Sequence, residues 1–82
     1  MTAQLQQTST TRKDCDKIGA ALHAAVGRGL HVGRQVKIGI VRGVVIGYNI
    51  ARRGRFRGAR YPLLVKTELG VTKCALDEVV AA

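Results

Sequence analysis

The sequence predicts a mainly β protein, a small five-stranded barrel preceded by one N-terminal α-helix. Apolar residues recur at helical spacing early in the chain, and they alternate in short segments from residue 34 onward. A chain of 82 residues has room for one domain with a thin core. Because closure removes exposed edges, short strands at this spacing usually form a barrel.

The first part of the chain divides into a tail and a helix. Residues 1–10 are rich in Gln, Thr and Ser without periodicity, which predicts a disordered tail. An amphipathic helix is predicted within residues 11–29, with Gly27 and Gly29 ending it. Its apolar face comprises Cys15, Ile18, Leu22, Ala25 and Val26. This face either covers the core of the same domain or pairs with a second copy of the chain.

Residues 30–82 form the predicted barrel. Val36 and Ile38 share one face of a first short strand. A second strand, residues 41–50, is predicted to place Val44, Ile46, Tyr48 and Ile50 on one face. Gly43 and Gly47 lie on its other face, where they permit bending or a close backbone approach.

The closing half of the barrel has three further short strands. Tyr61, Leu63 and Val65 alternate in a strand that begins near Pro62. The remaining elements are a tight turn at Glu68-Leu69-Gly70, a strand at 71–74, a single helical turn at 75–78 and a last strand at Val79-Val80.

Two stretches carry a resemblance to a known fold family. Val32-Gly33-Arg34-Gln35-Val36-Lys37-Ile38 resembles the opening strand of Src-homology-3-like barrels, including their KOW-type and Tudor-type relatives. Gly70-Val71-Thr72-Lys73-Cys74-Ala75-Leu76-Asp77-Glu78-Val79 resembles their last hairpin, helical turn and final strand. The resemblance covers residues 32–80 and implies a fold, but many functions share this fold.

A second resemblance concerns an enzyme. The plasmid-borne type II dihydrofolate reductases are similar to this chain in length, in a disordered N-terminal tail and in a small barrel. They act as tetramers, and a Val-Gln-Ile-Tyr stretch lines their shared pore. The aligned stretch here is Val71-Thr72-Lys73-Cys74, where only the valine matches, so that activity is not expected.

The segment between the second and third strands is strongly basic. Residues 51–60 contain five arginines, two glycines and one phenylalanine. Burying even one unpaired guanidinium costs several kcal/mol. The sequence therefore predicts an exposed basic loop on a β-hairpin.

The charge distribution favours a polyanionic partner, DNA or RNA. The net charge is +9, and no acid occurs between Lys17 and Thr67. Arginines can engage phosphates bidentately, and Phe56 can stack on a base or ribose. The predicted nucleic-acid-binding residues are Arg52, Arg53, Arg55, Phe56, Arg57 and Arg60 in the loop, with Arg34, Lys37, Arg42 and Lys66 extending the surface onto the sheet. Such a surface grips the phosphate backbone with low sequence specificity.

Other interpretations of the loop and the chain stay open. The loop could be a solvated hairpin tip, or a segment that orders only against an acidic protein. The chain could instead be a protein-interaction module or a homo-oligomer formed through the helix or the barrel edges. A further alternative is an accessory protein of phage or mobile-element origin.

Enzymatic, metal and membrane functions have little support in the sequence. His23 and His31 have no cysteine or carboxylate at ligand spacing, so we expect no metal site. No phosphate-loop or dinucleotide fingerprint occurs, and we expect no cofactor and no enzymatic activity. Asp77 and Glu78 fit a helix cap better than an acid–base pair. The two cysteines predict free thiols in a reducing compartment. The polar N-terminus and the lack of a long apolar run favour a cytoplasmic protein without a membrane role.

Overall fold

The computed structural model describes residues 16–82, which form one helix followed by a five-stranded antiparallel sheet. The elements are α1 (residues 16–27), β1 (Gln35–Ile38), β2 (Val41–Tyr48), β3 (Leu63–Thr67), β4 (Gly70–Cys74), a 3-10 turn (Leu76–Glu78) and β5 (Val80–Ala81). The predicted mainly β fold with a preceding helix is confirmed. The tail predicted for residues 1–10, the predicted start of the helix and Cys15 lie outside the described residues.

The sheet has the strand order β4-β3-β2-β1-β5. The first four strands follow one another as antiparallel hairpins, and the last strand returns to the free edge of β1. Val36 is opposite Ala81 there, and Lys37 is opposite Val80. This arrangement is compatible with a small β-barrel-like fold.

The core lies on one face of the sheet, under the helix. From the strands and the final turn it contains Val36, Val45, Leu63, Val65, Cys74 and Val79. From the helix and the turn that follows, Ala25 and Leu30 join the same cluster. Helix α1 therefore covers the core of its own domain, as the first of the two alternatives predicts, while Val26 points away from it and is exposed.

The end of α1 is fixed by a Schellman motif. Gly29 has a φ of 77°, its N–H donates to the Val26 carbonyl at 2.9 Å, and the Leu30 N–H donates to the Ala25 carbonyl at 2.9 Å. Ala25 and Leu30 are both buried, which supplies the hydrophobic contact that accompanies this motif. The stop predicted at Gly29 is confirmed, whereas Gly27 is the last residue of the helix.

The shared face predicted for Val44, Ile46, Tyr48 and Ile50 is wrong. Val45 is fully buried, whereas Val44, Ile46 and the following Ile50 are exposed. The register shifts between Val45 and Gly47, so Ile46 is the extra residue of a β-bulge.

The bulge returns Tyr48 to the core face. Tyr48 is opposite the buried Leu63 and packs against the core, on the face opposite to Val44. Gly43 provides the close approach that the sequence indicated, since a Cβ there would lie 2.6 Å from Val65 Cγ1.

The closing turns agree with the sequence. Thr67 Oγ1 accepts the Leu69 N–H and donates to the Gly70 carbonyl, both at 3.0 Å, which fixes the β3–β4 turn. Glu78 Oε1 accepts the Ala75 N–H at 2.9 Å, so this carboxylate caps the 3-10 turn as expected. Within residues 16–82, no helix combines the length and apolarity needed to cross a bilayer.

Candidate nucleic-acid interface

The candidate interface is the segment that joins β2 to β3. We call residues 51–60 the arginine loop. Its five arginine side chains are all exposed, as the sequence predicts. Because β2 and β3 are antiparallel neighbours, the loop projects from one end of the sheet.

A single buried side chain holds the loop in shape. Asn49 is only 5% exposed, and its Nδ2 donates to the Phe56 carbonyl at 2.7 Å and to the Tyr61 carbonyl at 2.9 Å. Its Oδ1 accepts the Ala51 N–H at 3.1 Å. One amide thus ties together the beginning, the middle and the end of the segment. No sequence pattern identifies Asn49.

Backbone hydrogen bonds complete the fold of the loop. The Gly58 N–H donates to the Ala51 carbonyl at 2.7 Å, and the Tyr61 N–H donates to the Arg57 carbonyl at 2.8 Å. Gly58 is buried so tightly that a Cβ would overlap the Asn49 carbonyl oxygen. The loop conformation therefore depends on backbone groups and one amide, and these contacts leave the arginine side chains free for a ligand.

An aromatic pair lies within this cationic segment. The rings of Phe56 and Tyr61 are 5.2 Å apart between centroids and tilted by 59°. Phe56 remains 48% exposed, and the Arg55 guanidinium carbon is 5.8 Å from its ring centroid. The loop thus offers both guanidinium groups for phosphates and an accessible aromatic ring.

Helix packing adds a cation that the sequence analysis missed. Arg28 and Arg60 line one cleft of about 390 Å³ between α1, the arginine loop and the 3-10 turn. Asp77 also lines this cleft. Arg28 is distant from the loop in sequence, and only the docking of α1 onto the domain brings it there.

The predicted residues on the sheet form a separate group. Lys37, Arg42 and Lys66 line an open groove of about 720 Å³, which we call the sheet groove. Lys37 is opposite Arg42 and Lys66 is opposite Val44, four to six residues along β2 from its loop end. At about 3.3 Å per residue, roughly 13–20 Å of strand separates the sheet groove from the arginine loop.

Arg34 belongs to neither group. Its carbonyl accepts the Val45 N–H at 3.0 Å, which places it beside the middle of β2. The ten predicted residues therefore divide into six in the arginine loop, three in the sheet groove, and Arg34 beside the middle of β2.

The described cysteine has the properties of a core residue. Cys74 is a free thiol, 2% exposed. Burial raises its pKa, and the nearby Glu78 carboxylate raises it further. Because the thiolate is the nucleophile, burial and the raised pKa both disfavour a reactive role for Cys74 and fit a side chain of the core. Among residues 16–82, no three His, Cys, Asp or Glu side chains lie close enough together to hold a metal ion.

The chain matches no protein-family model, no curated protein and no solved structure. The geometry and charge of the arginine loop therefore carry the functional argument.

Proposed function

We propose that this protein binds nucleic acid by gripping the phosphate backbone with the arginine loop. One observation carries the proposal, namely that five exposed arginines project from a loop whose fold is held by Asn49 and backbone groups. No acidic residue occurs between Lys17 and Thr67, so these arginines have no acidic neighbour in that part of the sequence. A pre-folded loop loses less conformational entropy on binding than a disordered one, which favours affinity.

Phosphate recognition explains the residue types. The guanidinium group presents a planar fork of donors that matches two phosphate oxygens, and such charge-assisted pairs are stronger than neutral hydrogen bonds. Contacts to phosphates fix position without reading bases. Binding through this loop therefore has low sequence specificity.

We also propose that the domain is a Src-homology-3-like barrel with a long β2–β3 loop as its binding element. The strand order β4-β3-β2-β1-β5 supports this assignment, as does the 3-10 turn immediately before β5. Both features follow the pattern that the sequence resembles.

The direct test is fluorescence-anisotropy binding to DNA and RNA at about 50 and 200 mM salt. If about six basic side chains contact phosphates, log affinity falls with log salt at a slope near −5 on duplex DNA and near −4 on single strands. Failure to bind any of these ligands at the lower salt would contradict the proposal and favour a protein partner.

A loop variant connects the binding to the arginines. Replacing Arg52, Arg53, Arg55 and Arg57 together by serine should abolish binding, because it removes most of the phosphate donors. Thermal stability should remain nearly unchanged, since the loop fold uses other groups. A large loss of stability would show that the arginine side chains are part of the packing.

A further inference from the structure

Resting on the proposed function, we infer that the ligand of the arginine loop is single-stranded nucleic acid, with one base stacked on the ring of Phe56. The inference depends on the position, support and exposure of that ring. The charge of the loop alone does not determine whether the nucleic acid is single-stranded or double-stranded.

The Phe56 ring is held in place. The main chain of Phe56 is anchored by the 2.7 Å hydrogen bond from Asn49 Nδ2 to its carbonyl oxygen. The ring itself is supported by Tyr61, whose centroid is 5.2 Å away. A fixed ring loses little freedom when a flat ligand stacks on it.

The ring also has an accessible surface with a cation beside it. Phe56 is 48% exposed. The Arg55 guanidinium carbon lies over the ring, 5.8 Å from its centroid, which is wider than a stacked contact. A base that stacks on this face of Phe56 displaces the Arg55 guanidinium, which can then contact the far face of the base or the adjoining phosphate.

Only unstacked bases can use such a ring. In a duplex, each base is covered on both faces by its neighbours, and exposing one requires unstacking and unpairing. In a single strand the bases can splay out and stack on aromatic side chains without sequence preference, because every base has a π face. An aromatic ring among phosphate-binding arginines is thus typical of a single-strand site.

The test compares a labelled single strand with a duplex of the same length by fluorescence anisotropy. Phe56→Leu keeps an apolar side chain but removes the π face. Phe56→Tyr retains the aromatic ring and is the matched control. We expect Phe56→Leu to weaken single-strand binding by about fivefold or more. Phe56→Tyr should bind like the wild type, and neither change should affect duplex binding.

A second variant reports stacking directly. The chain contains no tryptophan, so Phe56→Trp introduces a single tryptophan that can be excited separately from Tyr48 and Tyr61. Its emission should be quenched when the single strand binds and should be unchanged with the duplex. This readout does not depend on the stability of Phe56→Leu.

The outcomes separate this inference from the proposed function. Equal affinity for both strand types, an unchanged affinity of folded Phe56→Leu, or no quenching of Phe56→Trp by a bound single strand would overturn the stacking inference. Phosphate binding by the arginines would survive each of those results. Absence of all nucleic-acid binding in the wild type would instead overturn the proposed function itself.

Discussion

Asn49 is the residue on which the shape of the arginine loop depends. Replacing it with alanine leaves the Phe56 and Tyr61 carbonyls and the Ala51 N–H without their side-chain partner. A buried polar group without a hydrogen-bond partner costs about 1–3 kcal/mol. Asn49→Ala should therefore lower the free energy of unfolding by about 1 kcal/mol or more. Urea unfolding followed by circular dichroism measures this loss.

The neighbouring residue provides the control for Asn49. Ile50 is 69% exposed, and Ile50→Ala should change stability by no more than about 0.5 kcal/mol. The Asn49 variant should also bind nucleic acid more weakly, since its arginines are no longer held by a folded loop. Equal stability of the two variants would show that the amide contacts do not hold the loop.

Gly58 makes a second prediction about the same segment. A Cβ at Gly58 would overlap the Asn49 carbonyl oxygen, whereas a Cβ at Gly47 would meet only Leu64 Cδ1 at 3.7 Å, an ordinary contact. Gly58→Ala should therefore lower the free energy of unfolding by about 1–3 kcal/mol more than Gly47→Ala does. Thermal unfolding should show a correspondingly lower melting temperature for Gly58→Ala. A smaller loss for Gly58→Ala than for Gly47→Ala would mean that the loop is not packed against Asn49.

These residues show what a sequence can reveal about a site. The arginines and Phe56 could be identified because their side-chain chemistry is visible in composition and spacing. The role of Asn49 could not, because its partners lie up to twelve positions away and are backbone carbonyls that any residue would supply.

The end of helix α1 allows a test in which two neighbouring glycines give opposite results. Gly29 has a φ of 77°, where an L side chain costs about 1–2 kcal/mol, so Gly29→Ala should destabilise the protein. Gly27 lies in the helix with open space around its Cα, and Gly27→Ala should stabilise the protein by about 0.5–1 kcal/mol through helix propensity. Thermal unfolding of both variants measures the difference, and shifts of the same sign would contradict the observed helix end.

Strand β2 illustrates the limit of periodicity. Alternation predicted the existence of the strand but grouped Val44 and Ile46 with Tyr48 on one face, whereas a single extra residue at a bulge inverts the pattern before Tyr48. Strands β1 and β3 lack such a residue, and their buried side chains, Val36, Leu63 and Val65, lie where alternation predicts. The order of elements was therefore predictable, whereas the register within β2 was not.

The whole molecule distributes its positive charge over more than one surface. The sequence predicted a net excess of cations over residues 17–67 but joined the arginine loop and the sheet residues into one surface. Folding separates them, because Lys37, Arg42 and Lys66 lie along β2 and its neighbours at a distance from the loop. Folding also places Arg28 and Arg60 around one cleft, an arrangement that no spacing in the chain indicates.

This separation predicts that equal charge changes on the two surfaces have unequal effects. One variant replaces Arg52, Arg55 and Arg57 by serine, and the matched variant replaces Lys37, Arg42 and Lys66 by serine, so each removes three of the fourteen basic residues. At physiological salt the Debye length is about 8 Å, shorter than the roughly 13–20 Å of strand between the sheet groove and the loop. The sheet-groove variant should therefore bind a short single strand almost as the wild type does.

The salt dependence distinguishes direct contacts from a general effect of charge. On a single strand each lost phosphate contact reduces the slope of log affinity against log salt by about 0.7, so the loop variant should lose about 2 from its slope. The slope of the sheet-groove variant should be unchanged, and circular dichroism should confirm that both variants are folded. Equal losses in both would mean that the ligand contacts the sheet groove as well as the arginine loop, and that one binding surface extends along β2 from its loop end to the β1–β2 turn.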